Sequence, residues 1–323
     1  MIETVRLLAG NFSVLDLGSA DAADWDFGAL DRAITMIEID ALTPSKRDAR
    51  KYYRIHRIQK AVAGEFGKRK FYRRKFAQAS SFLEPNPDLT RAYGLEEYFF
   101  AAEGWTEMEC ETLPSVLAQA GLERVDFIKT DLEGLDFEVL SSSPAIVREA
   151  LALQSELRFQ PFYLGEPFFH TFVSYLAELG FELITIRPVA WKYATPNSRL
   201  SRDGRLVIAN TIFFLCPAQV ETVFGKDAWL AFAKQIILAK VLGLDNYAEY
   251  IFELAKSNLP ATIQDELGLY ISPRGAERLL YRAANLCCSI RGGSRGLLEM
   301  RRMLLFLAKV TTTYGKHKHV GWF

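Results

Sequence analysis

Apolar residues in the first 217 positions fall into short runs of β character separated by stretches of helical period. The predicted strands are Ser13–Leu17, Ile34–Ile39, Arg54–Val62, Lys70–Lys75, Asp126–Thr130, Ala152–Leu157, Leu183–Arg187 and Leu206–Leu215. Between them, Leu113–Ala120 reads as a short helix, with Thr112 as N-cap and Pro114 in its first turn. A second helix begins at Phe137–Leu140, and a longer one, Glu166–Leu179, stops at Gly180. Strands alternating with helices predict an α/β fold with a largely parallel sheet. The last two strands are joined by Pro188–Gly204, which is rich in Arg, Ser, Asn and Gly and has no helical period. They are therefore expected to form an antiparallel pair at the sheet edge.

After Pro217 the pattern changes. Ala228–Leu242, Tyr247–Ser257, Pro273–Cys288 and Gly296–Val310 all read as helices punctuated by Gly, Pro and Asn. The expected organisation is an α/β domain over 1–217 and a helical unit over 218–323. The helical unit has three open roles: covering a substrate site, making a homo-oligomer, or binding a partner.

Composition narrows the function classes. Lys plus Arg equals Asp plus Glu, 39 against 39, so no net field draws the molecule to nucleic acid or a membrane. The longest uncharged run near the middle, Leu206–Val220, has 15 residues, short of the roughly 20 a membrane span needs. The start MIETVRLLAGN has no secretion pattern, and the four cysteines have neither disulfide-framework nor metal-ligand spacing. A reduced, cytoplasmic protein without a metal is the expectation. Charge is uneven locally: Lys46–Lys75 carries 13 Lys/Arg, against which stand only Asp48 and Glu65. Either this is a face for an anionic acceptor, or a solvated surface balanced by acids elsewhere in the fold. No RNA-binding motif accompanies it, which argues against nucleic acid.

The candidate chemistry lies at strand ends. The first strand runs into Asp16-Leu17-Gly18-Ser19-Ala20-Asp21, an acid and a glycine where a parallel sheet presents its turn to a nucleotide. Glu38 ends the second strand roughly 20 residues beyond Gly18, the spacing of an acid that takes ribose hydroxyls. The strand Val125–Thr130 then opens into Asp131-Leu132-Glu133-Gly134-Leu135-Asp136 before a helix. If the strand persists, alternation puts Lys129, Asp131 and Glu133 on one face. Glu156, near the end of the next strand, would face the same crevice.

This last segment resembles the K-x-D-x-E-G signature of the FkbM family of S-adenosylmethionine-dependent methyltransferases, through Lys129, Asp131, Glu133 and Gly134. Glu111-Thr112-Leu113-Pro114, Ala61–Gly67, Ser80-Ser81-Phe82-Leu83 and Phe159–Tyr163 resemble further segments of that family, in the same order. Ala22 stands where the family's second glycine of the first motif belongs. The resemblance implies a Rossmann-like class I methyltransferase fold: a mostly parallel seven-stranded sheet with helices on both faces. It also implies S-adenosyl-L-methionine as cofactor, held by Asp16, Gly18, Ser19 and Glu38. Asp131, Glu133 and Lys129 become the catalytic candidates, and Ser80, Ser81 and Glu156 the acceptor contacts. The acceptor implied is a hydroxylated small molecule, sugar derivative or glycan. The aromatic residues Tyr93, Tyr98, Phe99, Phe100 and Trp105 either line a sugar-sized pocket or form the core of a covering loop. A non-catalytic interaction protein and an NAD-dependent dehydrogenase are the competing readings, the second opposed by the missing glycines.

Overall fold

The computed structural model describes residues 1–19, 25–42, 47–197 and 203–272. The expected helices Pro273–Cys288 and Gly296–Val310, and Ala22, lie outside the described residues. The strands are β1 (Phe12–Leu17), β2 (Ile34–Asp40), β3 (Arg54–Gln59), β4 (Ala61–Ala63), β5 (Gly67–Arg74), β6 (Ala102–Thr112), β7 (Phe127–Thr130), β8 (Ala152–Arg158), β9 (Phe181–Trp191) and β10 (Arg205–Leu215). The helices are α1 (Ile2–Leu8), α2 (Pro87–Ala92), α3 (Leu113–Gln119), α4 (Asp136–Ser141), α5 (Pro144–Arg148), α6 (Phe169–Glu178), α7 (Pro217–Phe224), α8 (Ala228–Val241), α9 (Asp245–Ala255) and α10 (Ala261–Ile271).

Seven strands form the main sheet in the order β3-β2-β1-β7-β8-β10-β9. Neighbours from β3 to β8 are parallel, while β10 runs antiparallel to both β8 and β9. This is the mostly parallel seven-stranded sheet that the resemblance implies, with the expected antiparallel pair at its edge. The strand order reverses between β1 and β7, the place where open α/β sheets leave a crevice at the carboxyl ends of their strands. β2 and β7 are buried along nearly their whole length, as central strands covered on both faces must be. Edge strand β9 is buried at Phe181 and mostly exposed beyond Ile186.

Two expectations need correction. Arg54–Val62 is not one strand: it breaks at Lys60, and β4 leaves for a separate three-stranded sheet, order β4-β6-β5. The residues before Thr112 form not a loop but the 11-residue strand β6, whose alternate Glu side chains face solvent. Its polar composition hid it, because β6 is buried only at Cys110.

The helices after residue 217 share one hydrophobic cluster with the sheet, α8 contributing Phe232, Ile236 and Ile237 beside Phe12 and Phe213. A helix apolar on every side belongs in a core, and α8 is buried even at Lys234 and Gln235. Lys234 Nζ meets Asp126 Oδ1 at 2.7 Å, and Gln235 Nε2 donates to the carbonyl of Leu215 at 2.8 Å. Glu266 on α10 accepts from the backbone N–H groups of Glu3 and Thr4, capping α1 from a distant part of the chain. No helix among the described residues is long and apolar enough to cross a membrane.

Candidate active site

The carboxyl ends of β1, β2 and β7 converge because the turns that follow them interlock. Gly18 has φ +75°, and its backbone N–H donates to Ile39 at 3.0 Å. Asp131 in turn donates its N–H to Leu17 at 3.1 Å. A cavity of about 290 Å³ opens over this junction. Gly18 and Ile39 to Leu42 line one side of it; Ser80, Ser81, Phe82, Asp131 and Glu133 line the other.

β7 stops at Thr130, so alternation does not carry Asp131 and Glu133 onto the face of Lys129 as expected. A turn separates them instead, leaving Asp131 beside Lys129 and Glu133 beside Arg158. Glu133 takes φ +50°, a conformation that non-glycine residues seldom adopt, followed by Gly134 at φ +97°. Asp136 stabilises this turn by accepting from the N–H of Leu132 at 3.1 Å. Lys129 Nζ then lies 3.3 Å from Asp16 Oδ1 and 3.4 Å from Asp131 Oδ2, and donates to the Gly18 carbonyl at 3.2 Å. Burial works against the Lys129 ammonium, but Asp131 and Asp16 outweigh it and raise its pKa. Asp131 is the most open acid of the group, with 39% of its side chain accessible.

Glu133 and Glu156 gather around Arg158, whose Nη2 is 2.6 Å from Glu133 Oε2 and 3.2 Å from Glu156 Oε1. Arg158 Nη1 meets Glu166 Oε1 at 3.0 Å. The buried hydroxyl of Tyr163 stands 2.8 Å from Glu133 Oε2 and 3.0 Å from the Ala79 carbonyl. Burial raises the Glu133 carboxyl to about 8, against the opposing pull of Arg158. Burial raises Glu156 to about 7 in the same way. Oxygens of Asp131, Glu133 and Glu156 lie within 4.8 Å of one another, close enough to share a cation. Arg158 and Lys129 already place positive charge against all three.

Most of the sequence-predicted residues meet here, several of them engaged in ways the sequence did not indicate. Asp16 and Glu38 face each other across the β1–β2 register, and both are fully buried. Glu38 is therefore closed to solvent. Arg47 and Arg57 pair with its two oxygens at 2.7 and 3.2 Å. Ser19 is buried, with an Oγ that has no hydrogen-bond partner among the described residues. Ser80 Oγ accepts from the Arg74 N–H, and Ser81 Oγ donates to the Glu133 carbonyl, so these hydroxyls build the wall of the cavity.

Arg158, Tyr163 and Arg47 were not singled out from the sequence. Arg158 follows Glu156 at the period of a strand, and a buried Arg beside an acid was a usable signal. Arg47 lies in the basic run Lys46–Lys75 and Tyr163 closes the segment Phe159–Tyr163, but neither pattern marks the single residue that reaches the site.

The aromatic group divides. Tyr93 and Phe100 pack with Phe162 and Tyr163 in a satellite core, while Tyr98 and Trp105 are exposed. The aromatic residues that line the cavity are Phe71 and Phe82. Much of the basic stretch finds acids: Arg50 pairs with Asp48, Lys60 with Glu111, Lys68 with Glu107, and Arg69 with Glu138. His170, on α6, is exposed and stacks on Phe168.

Comparison with known proteins gives the following. No curated protein sequence matches significantly. Among solved structures, the chain is similar to the M1A22 tRNA methyltransferase TrmK of B. subtilis, at 8% identity and a TM-score of 0.24, covering 96% of this chain and 95% of that one. It is also similar to an uncharacterized protein of Listeria monocytogenes serotype 4b, at 9% identity and a TM-score of 0.23, covering 97% of each chain. A Pyrococcus horikoshii protein described provisionally as an RNA methyltransferase aligns at 11% identity with a TM-score of 0.23, covering 66% of this chain and 82% of that one. These scores carry no functional argument. The family model does: the methyltransferase FkbM domain matches residues 31–183, a span that holds Glu38, the Ser80-Ser81 wall, Lys129, Asp131, Glu133, Glu156 and Tyr163. Through residues 31–183 the chain is thus similar to the methyltransferase FkbM domain.

Proposed function

We propose that the domain binds S-adenosylmethionine and methylates a hydroxyl group on a sugar derivative, glycan or other small metabolite. The observation that carries this reading is the continuity of the cavity. One chamber joins the β1 and β2 strand ends, where a nucleoside would lie, to Asp131 and Glu133, where an acceptor would lie. The Ser19 Oγ, which has no hydrogen-bond partner among the described residues, and the acid pair Asp16 and Glu38 suit the polar groups of that cofactor. When bound, S-adenosylmethionine supplies a methyl group already activated by its sulfonium.

The protein's own task is then to align the acceptor, exclude water and manage one proton. Asp131 is open to the cavity and held by Lys129, so it is assigned the acceptor proton. Glu133, held by Arg158 and Tyr163, lines the cavity beside Asp131 and is assigned the positioning of the acceptor. The walls from Phe71 and Phe82 exclude water. Charged residues on the cavity wall are Asp40, Asp131, Glu133 and Lys60, the last paired with Glu111, so a neutral hydroxylated acceptor suits it better than an anion.

The test is calorimetric titration with S-adenosylhomocysteine, with NAD as the control. One-site micromolar binding of the first alone supports the proposal; binding of NAD alone, or of neither by the folded protein, refutes it.

A further inference from the structure

The carboxylates assigned to the cofactor already hold a ligand from the chain itself. Arg47 places its guanidinium across Asp16 and Glu38: Nη2 lies 2.8 Å from Asp16 Oδ2 and Nη1 lies 2.7 Å from Glu38 Oε1. The two acids are register partners on adjacent parallel strands, so one planar fork reaches both. The Trp25 ring supports it, with the guanidinium carbon 5.3 Å from the ring centre, and the Arg47 side chain is only 8% accessible. Glu38 has no accessible surface at all. A ribose diol cannot reach this carboxylate while Arg47 is in place.

Both ligands make the same demand on the site. A guanidinium and a diol each offer two donors to carboxylate oxygens, so they compete for one acceptor set. The other oxygens have cations beside them independently of Arg47, although Asp16 Oδ1 accepts no hydrogen bond among the described residues. Lys129 Nζ lies 3.3 Å from Asp16 Oδ1, and Arg57 Nε lies 3.2 Å from Glu38 Oε2. Each acid therefore keeps a cation of its own if Arg47 withdraws, and the exchange does not strand a buried charge.

We propose that Arg47 is a built-in competitor of the nucleoside, which occupies Asp16 and Glu38 in the cofactor-free protein and swings out when the ribose hydroxyls take Glu38. Arg47 is thereby the residue that sets cofactor affinity. The inference rests on the assignment of S-adenosylmethionine to this site. Binding is weakened by the fraction of molecules in which Arg47 has withdrawn, so removing the competitor strengthens it.

The test is calorimetric titration of S-adenosylhomocysteine into the full-length protein, into Arg47→Ala and into Arg47→Met, the last keeping an apolar stem against Trp25. Both folded variants are expected to bind roughly tenfold more tightly than the parent. A second readout needs no variant: in a crystal structure of the parent with S-adenosylhomocysteine, Arg47 should lie beyond hydrogen-bond reach of Glu38. Unchanged or weaker binding by a folded variant overturns the inference, as does an Arg47–Glu38 contact that persists beside the bound nucleoside. If the parent binds and the variants gain nothing, the competitor role alone fails. If neither the parent nor the variants bind, the cofactor assignment fails and takes the inference with it.

Discussion

Gly18 and Asp131 meet backbone to backbone: a Cβ placed on Gly18 would stand 2.1 Å from the carbonyl oxygen of Asp131. The contact locks the turn after β1 onto the turn after β7, and so brings the two halves of the proposed active site together. Gly18 also has φ +75°, so a side chain would be strained even without the clash. Gly18→Ala is expected to cost about 3 kcal/mol or more in urea unfolding, as strain and overpacking combine. Near-parental stability would mean that the two turns can separate freely.

Tyr163 ties Glu133 to the loop that carries Ser80 and Ser81, since its hydroxyl contacts Glu133 Oε2 and the Ala79 carbonyl. Tyr163→Phe keeps the ring packed on Phe100 and removes only the hydroxyl. Loss of a buried hydrogen-bonding group costs about 1–2 kcal/mol. Once an acceptor is known, turnover should fall while the S-adenosylhomocysteine affinity stays near the parent value. Equal losses in both would show a general collapse of the cavity.

Glu133 and Glu156 give stability a pH dependence of unusual sign. Burial raises them to about 8 and about 7, from an unfolded value near 4.5. Between those limits the folded chain binds more protons than the unfolded one, so stability is largest below about pH 4.5 for these two groups and declines as pH rises through their folded pKa values. Urea midpoints from pH 5 to pH 8.5 should fall for the parent. The fall should be shallower in Glu156→Gln, which removes one of the two titrating groups. An identical slope in that variant would place the pH dependence elsewhere.

The pairing of Lys234 with Asp126 joins α8 to the strand that leads to the active-site turn. Asp126 also accepts from the Ser13 N–H at 2.8 Å, fixing the β1–β7 register from the far end. Lys234→Met leaves Arg124 at 3.8 Å as the remaining cation beside the buried carboxylate among the described residues, and removing one partner of a buried pair costs about 3–5 kcal/mol. The double variant with Asp126→Asn should lose less than the sum of the two single variants. If the variant instead unfolds in two separate transitions, the helices after residue 217 fold independently of the sheet.

Local pattern was enough to read the main architecture. The segments Phe12–Leu17, Ile34–Asp40, Phe127–Thr130 and Ala152–Arg158 become central strands because their apolar residues can be covered on both faces, with the polar ones concentrated toward the strand ends. The K-x-D-x-E-G segment was legible because its residues are consecutive in the chain. β6 was not, since a strand with Glu at alternate positions and only Cys110 buried carries the composition of a loop.

Asp16, Gly18, Glu38, Lys129, Asp131, Glu133 and Glu156 were thus identifiable from the order of residue types at strand ends, because strand order places such ends on one rim. What engages them was decided only by the folded chain. Arg47 is 31 positions from Asp16, and Tyr163 is 30 from Glu133. Contacts over such separations depend on how the turns and crossovers pack, which no local period encodes. The sequence determined which acids reach the crevice; the tertiary structure decided which of them stands open and which is covered by an arginine.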